Sequence, residues 1–334
     1  MSLSQEIDFS PAKGKKNLLA FSAGIDSSAL FFLLLEQHID FDIAIVNYNL
    51  RASSSDEAAY AKELCVKHDK KLYYLETHLK GSAIEEEARK IRFDFFESII
   101  KEEGYDNLLT AHQLNDQMEW FLMQLTKGAG SLELLGMQTI TLRQNYTLYK
   151  PLLKVTKEQL QDYLDQQNLT YFIDLSNSDQ NYKRNYFRHN FSDALIKEYQ
   201  EGITRSFDYI QQDNQRLLES SQVLNLGQLT VIQAAHHRSQ LYHIDKALKK
   251  RAYILSHAQR QEIQKSSSVV ISDAFVIEQA NGLTYISPFI ECVMDKDFKE
   301  GCRMAKIPHK IRPFLYKFYP DIKLLQEKIS EWQS

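Results

Sequence analysis

The sequence predicts an α/β protein: a doubly wound parallel sheet, then a helical connector, then a smaller α+β domain. Three observations carry this expectation. Four short apolar runs alternate with helical patterns in the first half. A glycine-bearing turn follows the first run directly. Beyond about residue 225, the patterning changes to the period-two alternation of a hairpin. A chain of 334 residues has room for two domains, placed here at 1–195 and 225–334, with 196–224 as the connector.

The runs "NLLAFS" (17–22), "FDIAIVNY" (41–48), "KLYYLE" (71–76) and "NLLTAH" (107–112) are too short for helices and are bounded by Gly, Asp, Asn or Lys. They read as buried strands. Between them, residues 28–37, 54–68 and 83–103 repeat apolar positions near i, i+3 and i+4, the mark of helices lying on a sheet. Right-handed crossovers then make the strands parallel, and ligands of such sheets bind at the carboxyl ends of the strands. From about Tyr149 a proline-containing loop leads into an amphipathic helix with Thr156 as its N-cap. "IDLSNSDQNYKRNYFRHNF" is polar and dense in arginine and aromatics, residues 194–224 read as helical, and "SSVVISDAFVIEQANGLTYISP" alternates around the turn signal "ANGL".

No apolar run approaches the ~20 residues that span a bilayer, and "MSLSQEIDFSPAKGKK" lacks a signal-peptide core. Three cysteines, Cys65, Cys292 and Cys302, show neither metal-type spacing nor an even disulfide set. A cytoplasmic protein without membrane association is expected. Charge is uneven: residues 1–200 hold 22 Lys and Arg against 29 Asp and Glu, and residues 201–334 hold 18 against 15. A basic second part is compatible with nucleic-acid contact without establishing it.

The turn "FSAGIDSSAL" holds more chemistry than a turn needs. Its amides and the following helix N-terminus make an anion cradle from Ser22, Ala23, Gly24, Ile25, Asp26 and Ser27. Asp26 would repel phosphates unless a cation such as Mg²⁺ lay between them; as a plain helix cap it would need no ligand. On the loop alone the two readings stand even. Farther on, Arg89 and Arg92 lie three apart on one helical face, and Asp116 and Glu119 share the same relation at a helix start. Such acids can hold a metal or an ammonium, accept a proton, or merely suit the helix dipole. His112 at a strand end could touch phosphate or be a satisfied core histidine. Lys183, Arg184 and Arg188 interleave with Tyr182, Tyr186 and Phe187, and Lys246, Lys249, Lys250 and Arg251 cluster beside Tyr253. Cations and rings together suit single-stranded RNA, although solvated faces look the same.

The loop resembles the Ser-Gly-Gly-x-Asp-Ser signature of the PP-loop ATP pyrophosphatase superfamily, with Ala23 at a glycine position. "EEEARKIRFDFF" (85–96), "LLTAHQLNDQMEWFLMQLTKGAGSLELLGM" (108–137), "YKPLL" and "DLSNSDQNYKRNYFR" resemble, in order, segments of the tRNA(Ile)-lysidine synthetase family. The resemblance runs from about residue 17 to 190. It implies a Rossmann-like PP-loop domain and an enzyme that uses ATP to adenylate the wobble cytidine of a CAU-anticodon tRNA(Ile). L-lysine then displaces AMP to give lysidine. It further implies catalytic roles for Asp26, Arg92, Asp116 and Glu119, Mg²⁺ on Asp26 and Asp116, and ATP held by Ser22 to Ser27 and His112. Arg184, Arg188, Lys246, Lys249 and Lys250 are then expected on tRNA. Ile45 and Tyr48 stand where the family has histidines, Asn115 where it has an acid, Trp120 where it has threonine, and Asn49 where it has glycine. Two rivals stay open: another PP-loop adenylating enzyme (tRNA thiolation or amidotransfer), or a nucleotide-binding module whose chemistry has decayed. A homodimer also stays open.

Overall fold

The computed structural model describes residues 2–49, 54–79, 84–173 and 183–333. Six strands form the first sheet: β1 (Asn17–Ala20), β2 (Phe41–Asn47), β3 (Leu72–Glu76), β4 (Asn107–Leu109), β5 (Ile140–Leu142) and β6 (Thr147–Tyr149). Their order is β3-β2-β1-β4-β6-β5, and every pairing is parallel except β5 with β6. The chain winds outward from β1 through β2 to β3, then returns to the other side of β1 with β4. The crevice between β1 and β4 is therefore the topological switch point, where open α/β sheets bind ligands. Leu18 and Leu19 of β1 are fully buried on opposite faces, which explains the unbroken apolar runs.

The helices of this part are α1 (Leu3–Glu6), α2 (Ile25–Glu36), α3 (Ser54–Lys67), α4 (Ile84–Glu103), α5 (Leu114–Leu125), α6 (Ser131–Leu134), α7 (Lys157–Gln166) and α8 (Lys183–Phe187). A π-helical turn over Arg188–Ser192 leads into α9 (Asp193–Glu219), whose backbone breaks at Tyr199. Helix α2 starts three residues before the expected point, with Gly24 as its N-cap. It is apolar nearly all round because α7 packs on the side away from the sheet, within one core. Thr156 caps α7 through a reciprocal capping box with Gln159. Strands β5 and β6 escaped the sequence pattern because each has three residues without the fully buried run that marks the equally short β4.

Residues 1–210 and 211–334 form two compact units. The second holds β7 (Ser221–Leu226), β8 (Leu229–Ala234), β9 (Ser268–Ile271), β10 (Phe275–Ala280) and β11 (Leu283–Pro288). They run antiparallel in the order β7-β8-β11-β10-β9. Residues 221–224, expected in the connector, instead open β7, an edge strand with no fully buried residue and hence no clear alternation. Around the sheet lie α10 (His237–Lys249), α11 (His257–Lys265), α12 (Lys296–Met304), α13 (Arg312–Phe318) and α14 (Ile322–Gln333). Among the described residues no helix is long and apolar enough to cross a membrane.

The "ANGL" signal is a two-residue loop joining β10 to β11, with Asn281 at φ 53° and Gly282 at φ 75°. Both centres need positive φ, and only glycine adopts it without cost. Gly282→Ala should destabilise the second unit by about 1 kcal/mol. Thermal unfolding checks this, and an unchanged Tm would contradict the turn geometry.

Candidate active site at the carboxyl edge of the sheet

The loop after β1 and the loop after β4 face each other across the switch point, because β1 and β4 are paired with Leu19 opposite Leu109. The first supplies Asp26 in the opening turn of α2. The second supplies His112, then Asp116 and Glu119 on one side of α5. The expected meeting of Asp26 with Asp116 thus follows from strand order.

Ser22, Ala23, Gly24, Ile25 and Ser27 form the loop itself. Ser27 Oγ accepts from the Ser22 amide at 3.2 Å, and Phe172 N donates to the Ala23 carbonyl at 2.9 Å. Ala23 is fully buried with φ 57°. The glycine position it occupies does require the left-handed conformation, so alanine is strained there.

Asp26 Oδ1 is buried and has no hydrogen-bond partner among the described residues. Burial first, and then the charge of Asp116, push the Asp26 carboxyl up to about 7, while Lys157 and Arg188 oppose the rise. An orphaned carboxylate oxygen beside a second carboxylate is what a divalent cation would satisfy, so Asp26 and Asp116 fit Mg²⁺ with phosphate oxygens completing the shell.

Asp116 has its Oδ2 on the Gln113 amide at 3.1 Å, closing a capping box, and its Oδ1 against Arg184 Nη2 at 2.5 Å. Burial pushes its carboxyl up, but Arg184, His112, the Gln113 amide and Arg188 together outweigh burial and leave it below the usual carboxylate range. Glu119 is fully buried and doubly clamped. Its Oε2 accepts from Arg184 Nε at 2.7 Å, and its Oε1 accepts from Arg188 Nε at 2.5 Å. Arg184 and Arg188, expected on tRNA phosphates, therefore turn inward. Two buried carboxylates on one helix face demand nearby cations, and the arginines, four apart, present both guanidiniums to them.

His112 Nδ1 lies 3.0 Å from Thr110 Oγ1. Burial pushes its pKa down to about 4 despite Asp116, with Lys150, Arg184 and Arg89 adding to the fall, so the ring is neutral at pH 7. Arg92 is exposed on α4, and its charge acts on Tyr48. Arg89, ranked below Arg92 from sequence, is the α4 cation whose field reaches His112 and Lys150. Lys157 and Lys150 went unnoticed because a lone lysine beside a helix start or a strand end gives no sequence signal.

The substituted positions have structural work. Asn115 Nδ2 donates to Asp193 Oδ1 at 3.0 Å, while its Oδ1 accepts from the Lys157 amide at 3.2 Å. An amide supplies both a donor and an acceptor to these two helix starts, which an ionised carboxylate does not. Trp120 Nε1 donates to the Glu133 carbonyl at 3.3 Å, and its ring lies where a Cβ on Gly136 would stand, 2.2 Å away. Tyr48 Oη bonds the Ala88 carbonyl at 2.7 Å, and Ile45 is core. Asn49 takes φ 53°, the conformation a glycine would take there. Tyr182 and the "DLSNSDQN" stretch lie outside the described residues. In the second unit Lys246, Lys249 and Lys250 are exposed on and beside α10, with Lys249 paired to Asp245 at 2.6 Å.

A family model described as a PP-loop domain matches residues 2–195. A curated relative from Campylobacter jejuni (strain RM1221), named tRNA(Ile)-lysidine synthase, is 43% identical over 97% of this chain and 99% of its own length. Relatives of the same name from Wolinella succinogenes and Helicobacter pylori (strain ATCC 700392 / 26695) are 42% and 40% identical. They cover 90% and 92% of this chain and 93% and 91% of their own.

If Asn115 is a joint, restoring an acid there should harm the fold. Asn115→Asp sets a carboxylate against Asp193 and removes a donor, at a cost of about 1–3 kcal/mol. A fall in Tm is expected; unchanged stability would make Asn115 a lost acid and no joint.

Proposed function

The chain belongs to the tRNA(Ile)-lysidine synthase family of PP-loop proteins, and from that membership we propose how its site makes lysidine. It is a ligase that uses ATP, and its product is lysidine in tRNA. On our reading, the O2 oxygen of the wobble cytidine in a CAU anticodon attacks the α-phosphorus of ATP, and pyrophosphate leaves. The ε-amine of L-lysine then attacks carbon 2, AMP departs with the O2 oxygen, and a proton leaves the amine.

The observation that carries this reading is the joining of Asp26, Asp116 and Glu119 across the switch point beneath the PP-loop. The loop amides and the start of α2 would bind the leaving pyrophosphate. Mg²⁺, when bound on Asp26 and Asp116, supplies charge neutralisation for the phosphate oxygens. Neutral His112 would donate or accept one hydrogen bond at the nucleotide. Arg184 bridges Asp116 and Glu119, the pair an ammonium would bridge, and its side chain is 37% exposed against 13% for Arg188. We assign Arg188 as the fixed counter-ion of Glu119 and Arg184 as the one displaced when substrate lysine enters. Glu119 then accepts the proton that makes the amine nucleophilic. Arg92 keeps its proposed catalytic role through the matching motif alone, and Arg89 stands closer in field.

No Cys-x-x-Cys pair exists in the chain to support a clustered-sulfur thiolase, and the retained acids argue against decay. Incubation with ATP, Mg²⁺, lysine and CAU-anticodon tRNA(Ile) should yield AMP and incorporated lysine. Asp116→Ala should abolish adenylate formation, and wild-type turnover in that variant would remove the metal assignment.

We also assign Lys246, Lys249 and Lys250 to tRNA phosphates. Changing all three to alanine should weaken tRNA binding and lower its salt slope by roughly one for each phosphate no longer neutralised, with ATP affinity intact. Unchanged tRNA affinity would make the cluster a solvated face.

A further inference from the structure

Lysine is almost never fully buried unless it is paired. Lys150 is only 7% exposed, and among the described residues no carboxylate lies within ion-pair distance of it. Its one side-chain hydrogen bond there is long, from Nζ to the Gln138 carbonyl at 3.4 Å. An ammonium left in this state is costly and calls for an anion.

Its position says which anion. Lys150 follows the last residue of β6, and β6 lies parallel beside β4 with Tyr149 opposite Leu109. Thr110 N donates to the Tyr149 carbonyl at 3.0 Å, and Lys150 N donates to the Thr139 carbonyl at 2.8 Å. The lysine is thus pinned at the carboxyl edge, level with the Thr110–His112 turn. Arg143 and Arg89 act on it from β5's end and from α4, and with burial, the largest cause, they bring its pKa down to about 8. Lys150 in turn helps to keep His112 neutral. The His112 side of the crevice therefore carries a concentration of positive field around an uncharged imidazole. Asp116, whose charge also reaches the ring, is already held by Arg184.

We propose that Lys150 is a phosphate-binding residue of the active site, holding a phosphate group of a nucleotide substrate on the His112 side of the switch point. This deepens the reading given above and rests on it for the substrate class. Two substrates present that chemistry: the phosphate chain of ATP, and the backbone phosphates flanking the target base of the RNA. A phosphate there would supply the missing counter-charge and accept a hydrogen bond from Nζ.

Lys150→Met keeps the length and removes the charge without orphaning any carboxylate, so the variant should keep its Tm. Lys150→Arg keeps the charge. Affinity of the full-length protein for ATP with Mg²⁺ and, separately, for a CAU-anticodon stem-loop can be measured without turnover. At unchanged Tm, Lys150→Met should lose at least tenfold in one arm, and Lys150→Arg should retain most of it. Loss in the ATP arm identifies the nucleotide phosphates. Loss in the stem-loop arm, with a salt slope lower by about one, identifies the RNA backbone. Affinities within twofold of wild type in both arms would overturn the proposal, as would a loss that tracks a fall in Tm and that Lys150→Arg fails to restore. Failure of the wild-type chain to make lysidine would sink the functional reading instead, while these affinities would still decide the role of Lys150.

Discussion

Three carboxylates gathered at one edge of a parallel sheet are the constraint on which this site depends. Asp26, Asp116 and Glu119 come together because β1 and β4 are neighbours, and there the charges of Asp116 and Glu119 oppose the ionisation of Asp26. Asp26 carries the strain, with its pKa pushed up by burial and by Asp116. Asp116 escapes it through two arginines and the amide at the start of its helix. The neutralising cations come from α8 and the first residue of the π-helical turn, so both must be held against α5. The Ser192 hydroxyl on the Asn115 carbonyl, the Asn115 amide on Asp193, and the apolar cluster of Leu114, Met118 and Ile196 do that.

The PP-loop shows how a departure from a pattern can be absorbed. The left-handed backbone at Ala23 costs an alanine about 1 kcal/mol relative to glycine. Its methyl is fully buried in the main core, which returns about 0.8 kcal/mol. The two nearly cancel. The conformation is further fixed by the bridge from Gly24 to Phe172 and by the Phe172 amide on the Ala23 carbonyl. The loop keeps the geometry of a glycine pair with only one of the two glycines.

What the sequence made legible was whatever is fixed by period and by strand order. β1 to β3, their crossover helices and the β10–β11 hairpin each had enough residues to show a pattern, β4 showed as a fully buried apolar run, and the meeting of Asp26 with Asp116 followed from adjacency. Strands β5 and β6 have three residues apiece, and β7 is a half-exposed edge, so none carried a readable period. Side-chain direction was the larger loss. Arg184 and Arg188 read as outward cations because sequence spacing gives a face and not what the face meets. Asn115 read as a missing acid because its two partners, Asp193 and the Lys157 amide, are 78 and 42 residues away.

The cations of the site fall into groups that differ in what already holds them. Arg188 is largely shielded and committed to Glu119; removing it would leave a fully buried carboxylate with Arg184 as its one remaining cation among the described residues, so its role is permanent. Arg184 spans two acids from a more exposed position, so a second cation could take over its hydrogen bonds at little cost in burial. Lys150 has no acid at all among the described residues. A chain that neutralised its buried charges only for stability would have no reason to leave this ammonium without an acid, on the strand next to an acid-rich crevice. Charge balance within the fold accounts for the arginines. The lysine is accounted for only when the negative charge of a substrate is counted with the protein's own.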